Sequence, residues 1–179
     1  MQSSASLVSY EFTNRLEDLV TMTNIVRSDS TVQSTLDAIY QPQEDYAVHY
    51  YSDIYSALQK HYLEYRQPYL KMAAISCPRF ITYTNENIAC RPDADLTKEL
   101  IALAEAGEGS PVWVTSHAED HGIFLVREIK KIKNLRLDNL GTLIINVNLG
   151  DLVTEMSKIS NEYKDSYWIC LLYTSDAAD

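Results

Sequence analysis

Val8, Phe12, Leu16, Leu19, Thr23 and Val26 recur at steps of three and four residues through Ser3 to Arg27, a stretch without glycine or proline. That spacing puts them on one face, so a single long amphipathic helix is predicted. Asp29 and Ser30 interrupt it, and Ser30 followed three residues later by Gln33 has the form of a capping box for a shorter helix carrying Val32, Leu36 and Ile39. Pro42 ends that helix. Glu44 and Asp45 suit the first turn of a third helix, where carboxylates complement the positive end of the helix dipole, and Pro68 closes it. Along it Tyr51, Tyr55, Leu58, Tyr62, Tyr65 and Tyr69 step by four and three. The stripe has two readings: a core-facing row whose hydroxyls reach the surface, or a tyrosine-lined lid over a ligand.

After Pro68 the period changes. Phe80 to Thr84 is rich in β-formers, and Asn85-Glu86-Asn87 has turn chemistry. A short helix is predicted from Leu96 to Glu105, stopped by Gly107 and Gly109. Three strands follow at Val112 to Ser116, Gly122 to Ile129 and Thr142 to Asn148. The loop His117 to His121 makes the first two a hairpin, and Asn134 to Gly141 connects the second to the third. Gly150-Asp151 opens a last helix through Ile159, with Asp151 as its N-cap, and Tyr167-Trp168-Ile169 begins a strand. Helices first and an antiparallel sheet afterwards define an α+β fold: a long N-terminal helix and helical segments packed on the sheet.

With 179 residues the chain forms one domain of ordinary size, large enough to bury a core without disulfide or metal staples. Acidic residues outnumber basic ones by 25 to 15, a net charge of -10, which would repel a phosphate backbone and argues against nucleic-acid binding. Apolar runs such as Leu143-Ile144-Ile145 are too short to span a bilayer, and Met1-Gln2-Ser3-Ser4 lacks the form of a secretory signal. Residues 170–179, from Cys170 to Asp179, resemble the translation of a transposase-type sequencing adapter. The natural protein is therefore expected to be interrupted near Ile169, leaving Cys77 and Cys90 as its cysteines.

The order of features carries a family resemblance. The long first helix, Phe80-Ile81-Thr82-Tyr83-Thr84-Asn85, a lone Trp113, the run Gly122 to Ile129 and the run Leu140 to Val147 together resemble a Cache domain. The likeness is to the extracytoplasmic sensor of YesM-like histidine kinases and covers about residues 5 to 169. It implies a PAS-like sheet in a membrane-distal module over residues 1–160, and the start of a truncated membrane-proximal module at 161–169. Membrane segments, a linker and a kinase would lie outside the chain. It also implies a location on the extracytoplasmic face of the membrane and an output carried by helix movement. The ligand would be a small solute, a sugar-like one among the candidates, or a solute-binding protein, and a homodimer through the long helix is expected as a partner arrangement. Amino-acid-sensing members carry an Arg-x-Trp-type element where this chain has Thr97-Lys98-Glu99-Leu100-Ile101, so an amino-acid ligand is disfavoured.

Arg127 is the leading candidate residue. Strand alternation puts it on the face of Ile123, Leu125 and Ile129, and a guanidinium in an apolar layer requires either an internal carboxylate or an anionic ligand group. Trp113 shares a face with Thr115, whereas Tyr83 lies on the face opposite Phe80. Arg127, Trp113, Tyr83, Tyr51 and Tyr55 are the candidate ligand-binding residues, expected to line one concave site between sheet and helix, though the aromatics also suit a plain core. No cofactor is expected. His117 and His121 have metal-compatible types but sit in a turn, and His49 and His61 are twelve residues apart on one helix, too far to share an ion. Cys77 and Cys90 are free to pair in an oxidising compartment. There is no CxxC, phosphate loop, nucleophile elbow or carboxylate pair set by spacing for acid-base work. The Lys130, Lys131, Lys133, Arg136 run suits a solvated strand end. The resemblance implies a sensor that is non-enzymatic in itself; a dimerising spacer and an intracellular α+β enzyme domain are its rivals, the absent catalytic motifs counting against the enzyme.

Overall fold

A computed structural model describes residues 4–40, 47–116, 122–133 and 136–159. Helix α1 (Ser4–Ser28) is followed by α2 (Ser30–Ile39), α3 (Ala47–Glu64), strands β1 (Leu70–Ser76) and β2 (Ile81–Tyr83), α4 (Ala94–Ala106), β3 (Val112–Val114), β4 (Ile123–Lys133), β5 (Arg136–Val147) and α5 (Leu149–Ile159). The strands form one sheet in the order β2-β1-β5-β4-β3, antiparallel at every pairing. The fold is α+β, as the pattern predicts.

The sheet separates two apolar layers. Ala73, Ile75, Ile123, Leu125, Ile129, Leu143 and Ile145 project to one face and pack with Phe12, Leu19, Met22 and Val26 of α1, Leu36 of α2, Leu58 of α3 and Leu152 of α5. This is the helical face. Met72, Ala74, Phe124, Val126, Ile144 and Val114 project to the other, where Leu96, Leu100 and Ala104 of α4 cover them. A sheet clothed on both sides has strands that are apolar throughout, which hides their alternation. β1 is the clearest case: all of Leu70-Lys71-Met72-Ala73-Ala74-Ile75-Ser76 except Lys71 is buried, and the sequence pattern gave no strand there.

Local differences from the predicted elements have physical causes. β4 and β5 continue to the pair Lys133↔Arg136, with a bulge at Ile129/Lys130, so most of the expected 134–141 connection is strand. α3 ends at Glu64, and Ile54 and Leu58 face its core side; Tyr51 and Tyr55 are exposed, and buried Tyr69 lies in the turn before β1. The last helix is capped by Asn148, whose Oδ1 accepts from the Asp151 N–H at 2.8 Å, leaving Asp151 in the first turn to pair with Lys71. The tail at 170–179, the module start at 161–169 with its Tyr167-Trp168-Ile169 strand, the turn residues His117 and His121, and the Pro42, Glu44 and Asp45 signals lie outside the described residues.

At α2 the cap is Asp29 rather than Ser30. Its Oδ1 accepts from the N–H groups of Thr31 at 2.8 Å and Val32 at 3.1 Å, while Gln33 turns its amide to the Arg27 carbonyl. The other oxygen lies 2.9 Å from Nε2 of buried His61, whose Nδ1 faces Glu64 at 3.3 Å. One carboxylate therefore starts α2 and clasps α3. Burial opposes ionisation of Asp29, but the His61 bond and the two backbone N–H bonds outweigh it and hold the carboxyl below its ordinary 3.8. A depressed carboxyl contributes stability that is full above the unfolded value and is lost as pH falls through the folded one. Asp29→Ala is expected to cost about 1–2 kcal/mol at neutral pH, the worth of a good N-cap. Urea titrations across pH would show the mutant with a shallower acid limb; an unchanged limb would contradict the clasp.

Candidate functional site

Register decides which candidates meet. Trp113 lies opposite Leu125, and Arg127 is two residues along β4, so Trp113, Leu125 and Arg127 share the helical face. Trp113 is half-buried against that core. Arg127 is 6% exposed; its Nε donates to the Gly109 carbonyl at 2.8 Å, and its Nη1 donates to Thr23 Oγ1 at 3.0 Å and Asn24 Oδ1 at 2.6 Å. Among the described residues no carboxylate pairs with it, so the expected alternative of an internal ion pair is replaced by three neutral oxygens. Burial first, and then repulsion from Arg27, lower its pKa from the ordinary guanidinium value. Gly109, at φ +91°, belongs to the turn that follows α4, a conformation that glycine adopts without strain. A single side chain of β4 therefore ties α1 to the end of α4.

The other three candidates are elsewhere. Tyr83 pairs with Ala74 and points to the α4 face, away from Phe80 as alternation predicts, and hence away from Trp113 and Arg127. β2 and β3 are also opposite edges of the sheet. Tyr51 meets Phe80 edge-on with centroids 5.4 Å apart and stacks on Tyr55 at 6.3 Å, which places both tyrosines beside β2. The expected single concave site is therefore corrected to three separate places: Arg127 with Trp113, Tyr83 alone, and the Tyr51–Tyr55 stack.

Around Tyr83 the structure assembles polar groups that alternation alone did not single out. The Arg91 guanidinium sits 4.5 Å from the centre of the Tyr83 ring, and its Nε and Nη2 donate to the Asn85 carbonyl at 3.2 and 2.9 Å. Burial raises the Tyr83 hydroxyl's pKa, with the Arg91 charge offsetting part of the effect. Two strands away on the same face, Asn146 donates its amide to the Cys90 carbonyl at 2.9 Å. Its Oδ1 is buried without a hydrogen-bond partner among the described residues, in a residue only 4% exposed. An orphaned acceptor at this depth costs free energy unless something donates to it. The clue in the sequence was one amide in the apolar run Leu143-Ile144-Ile145-Asn146-Val147.

Cys77 and Cys90 are free thiols; Cys77 packs on the helical face and Cys90 on the α4 face, so the sheet stands between them and no disulfide joins them. Among the described residues no group of histidine, cysteine or carboxylate side chains has the arrangement of a metal site, and no helix is long and apolar enough to cross a membrane. No protein-family model matches this sequence, and no curated protein matches it.

Proposed function

We propose that this chain is the extracytoplasmic ligand-sensing domain of a Cache-type sensor histidine kinase, non-enzymatic in itself, which passes ligand occupancy to its long helix. The supporting observation is Arg127, bonded at once to the turn after α4 and to two residues of α1. A solute held on the α4 face that favours one packing of α4 would bias the position of α1 through this side chain, which is what a sensor requires. The α4 face offers Asn146 Oδ1 as an acceptor, with the Arg91–Tyr83 pair two strands away, groups suited to a small polar, sugar-like solute. The sheet order with α1 on one face and α4 on the other is consistent with the PAS-like sheet that the resemblance implies. A solute-binding protein remains the other ligand class, and a homodimer through α1 the expected assembly.

The test is a thermal-shift panel of mono- and oligosaccharides and other neutral solutes on the purified chain. A true ligand at a hundred times its Kd adds about 2.7 kcal/mol of stability. Its effect should fall at least tenfold in apparent affinity in Asn146→Ala. If no solute raises the melting temperature, or Asn146→Ala responds as the native chain does, small-solute sensing at this face is wrong.

A further inference from the structure

The turn between α3 and β1 borders an open cleft of about 480 Å³ lined by Tyr62, Arg66, Gln67, Leu70, Lys71 and Asn85. It is separate from the Asn146 face. In a chain of net charge -10, two cationic side chains converge there. Lys71 is paired with Asp151 of α5, whereas the exposed Arg66 guanidinium makes no side-chain bond among the described residues. The walls are held in place. Tyr62 donates its hydroxyl to the Leu70 carbonyl at 3.2 Å, and Asn85 donates its amide to the Lys71 carbonyl at 2.9 Å while its own carbonyl accepts from Arg91. Burial raises the Tyr62 hydroxyl's pKa, and the positive charges of Arg66 and Lys71 act on it in the opposite sense.

We propose that this cleft binds a small organic carboxylate with an apolar body. Arg66 meets the two carboxylate oxygens with its planar pair of N–H donors, and Lys71 adds a point charge after sharing it with Asp151. The Tyr62 ring and Pro68 take the apolar part. A compact inorganic anion would use the cations and leave that wall idle.

The experiment is a titration of the ¹⁵N-labelled full chain with benzoate, benzamide and inorganic phosphate at constant ionic strength, following the Lys71 backbone and Asn85 side-chain amides. Benzoate is expected to shift both resonances saturably, benzamide not at all, and phosphate at least tenfold more weakly. Arg66→Gln, at an exposed position that leaves folding intact, should weaken benzoate at least tenfold. Asp151→Asn releases Lys71 and should tighten it at least threefold. Equal response to benzoate and benzamide, or an unchanged affinity in Arg66→Gln, overturns the site; phosphate binding as well as benzoate overturns the apolar body.

Discussion

Phe124→Ala is expected to destabilise the fold by about 3–5 kcal/mol, the usual cost of deleting a buried aromatic ring. Phe124 is fully buried on the α4 face of β4, a central strand, opposite Asn146 and flanked by Val114 of β3. The α4 layer is the thinner of the two, built from Leu96, Leu100 and Ala104 over the sheet, so it has little material with which to fill the void. Urea denaturation should show a lower midpoint with an unchanged slope. Tyr55→Ala, at a residue 36% exposed, serves as the contrast and should lie within about 0.5 kcal/mol of the native chain. A Phe124→Ala cost below about 1 kcal/mol would mean that α4 does not seal that face.

Arg127 gives the second large effect, and two substitutions separate its structural from its coupling role. Arg127→Ala removes the buried stem together with bonds to Gly109, Thr23 and Asn24, and is expected to cost about 3 kcal/mol. Arg127→Met keeps most of the stem's volume and relieves the desolvated charge, so it should cost less than about 1.5 kcal/mol. Both sever α1 from the turn after α4. Any solute that stabilises the native chain should still bind Arg127→Met, because the Asn146 face is intact, but should no longer alter α1. Loss of binding in Arg127→Met would instead make Arg127 part of the ligand site.

Much of this fold is written in local periodicity. The three- and four-residue steps of Phe12, Leu19 and Val26 define the buried face of α1, and two-residue alternation assigns Arg127 to the helical face and Tyr83 to the face away from Phe80. β1 escaped because both of its faces are covered, so its residues do not alternate, and Met and Ala lack the β-branched signature. The convergence of five candidate residues failed for a non-local reason. Alternation gives the face of a strand, whereas the distance between Tyr83 and Trp113 depends on β1, β5 and β4 lying between their strands. Arg91 and Asn146 were equally hidden, since their meeting with Tyr83 and Cys90 requires the Asn85-to-Arg91 segment to fold back over β5.

Coupling of the α4 layer to α1 through Arg127 is measurable by hydrogen exchange without knowledge of the ligand. Leu100→Ala, at a fully buried position in α4, loosens that layer from beneath. Exchange is followed in the α1 segment from Leu19 to Arg27, under conditions where every variant stays folded, with Arg127 present and with Arg127→Met. The expected result is faster exchange in that segment when Leu100→Ala is made beside Arg127, and no further change when it is made beside Met. Equal acceleration in both backgrounds, or none in either, would contradict the coupling.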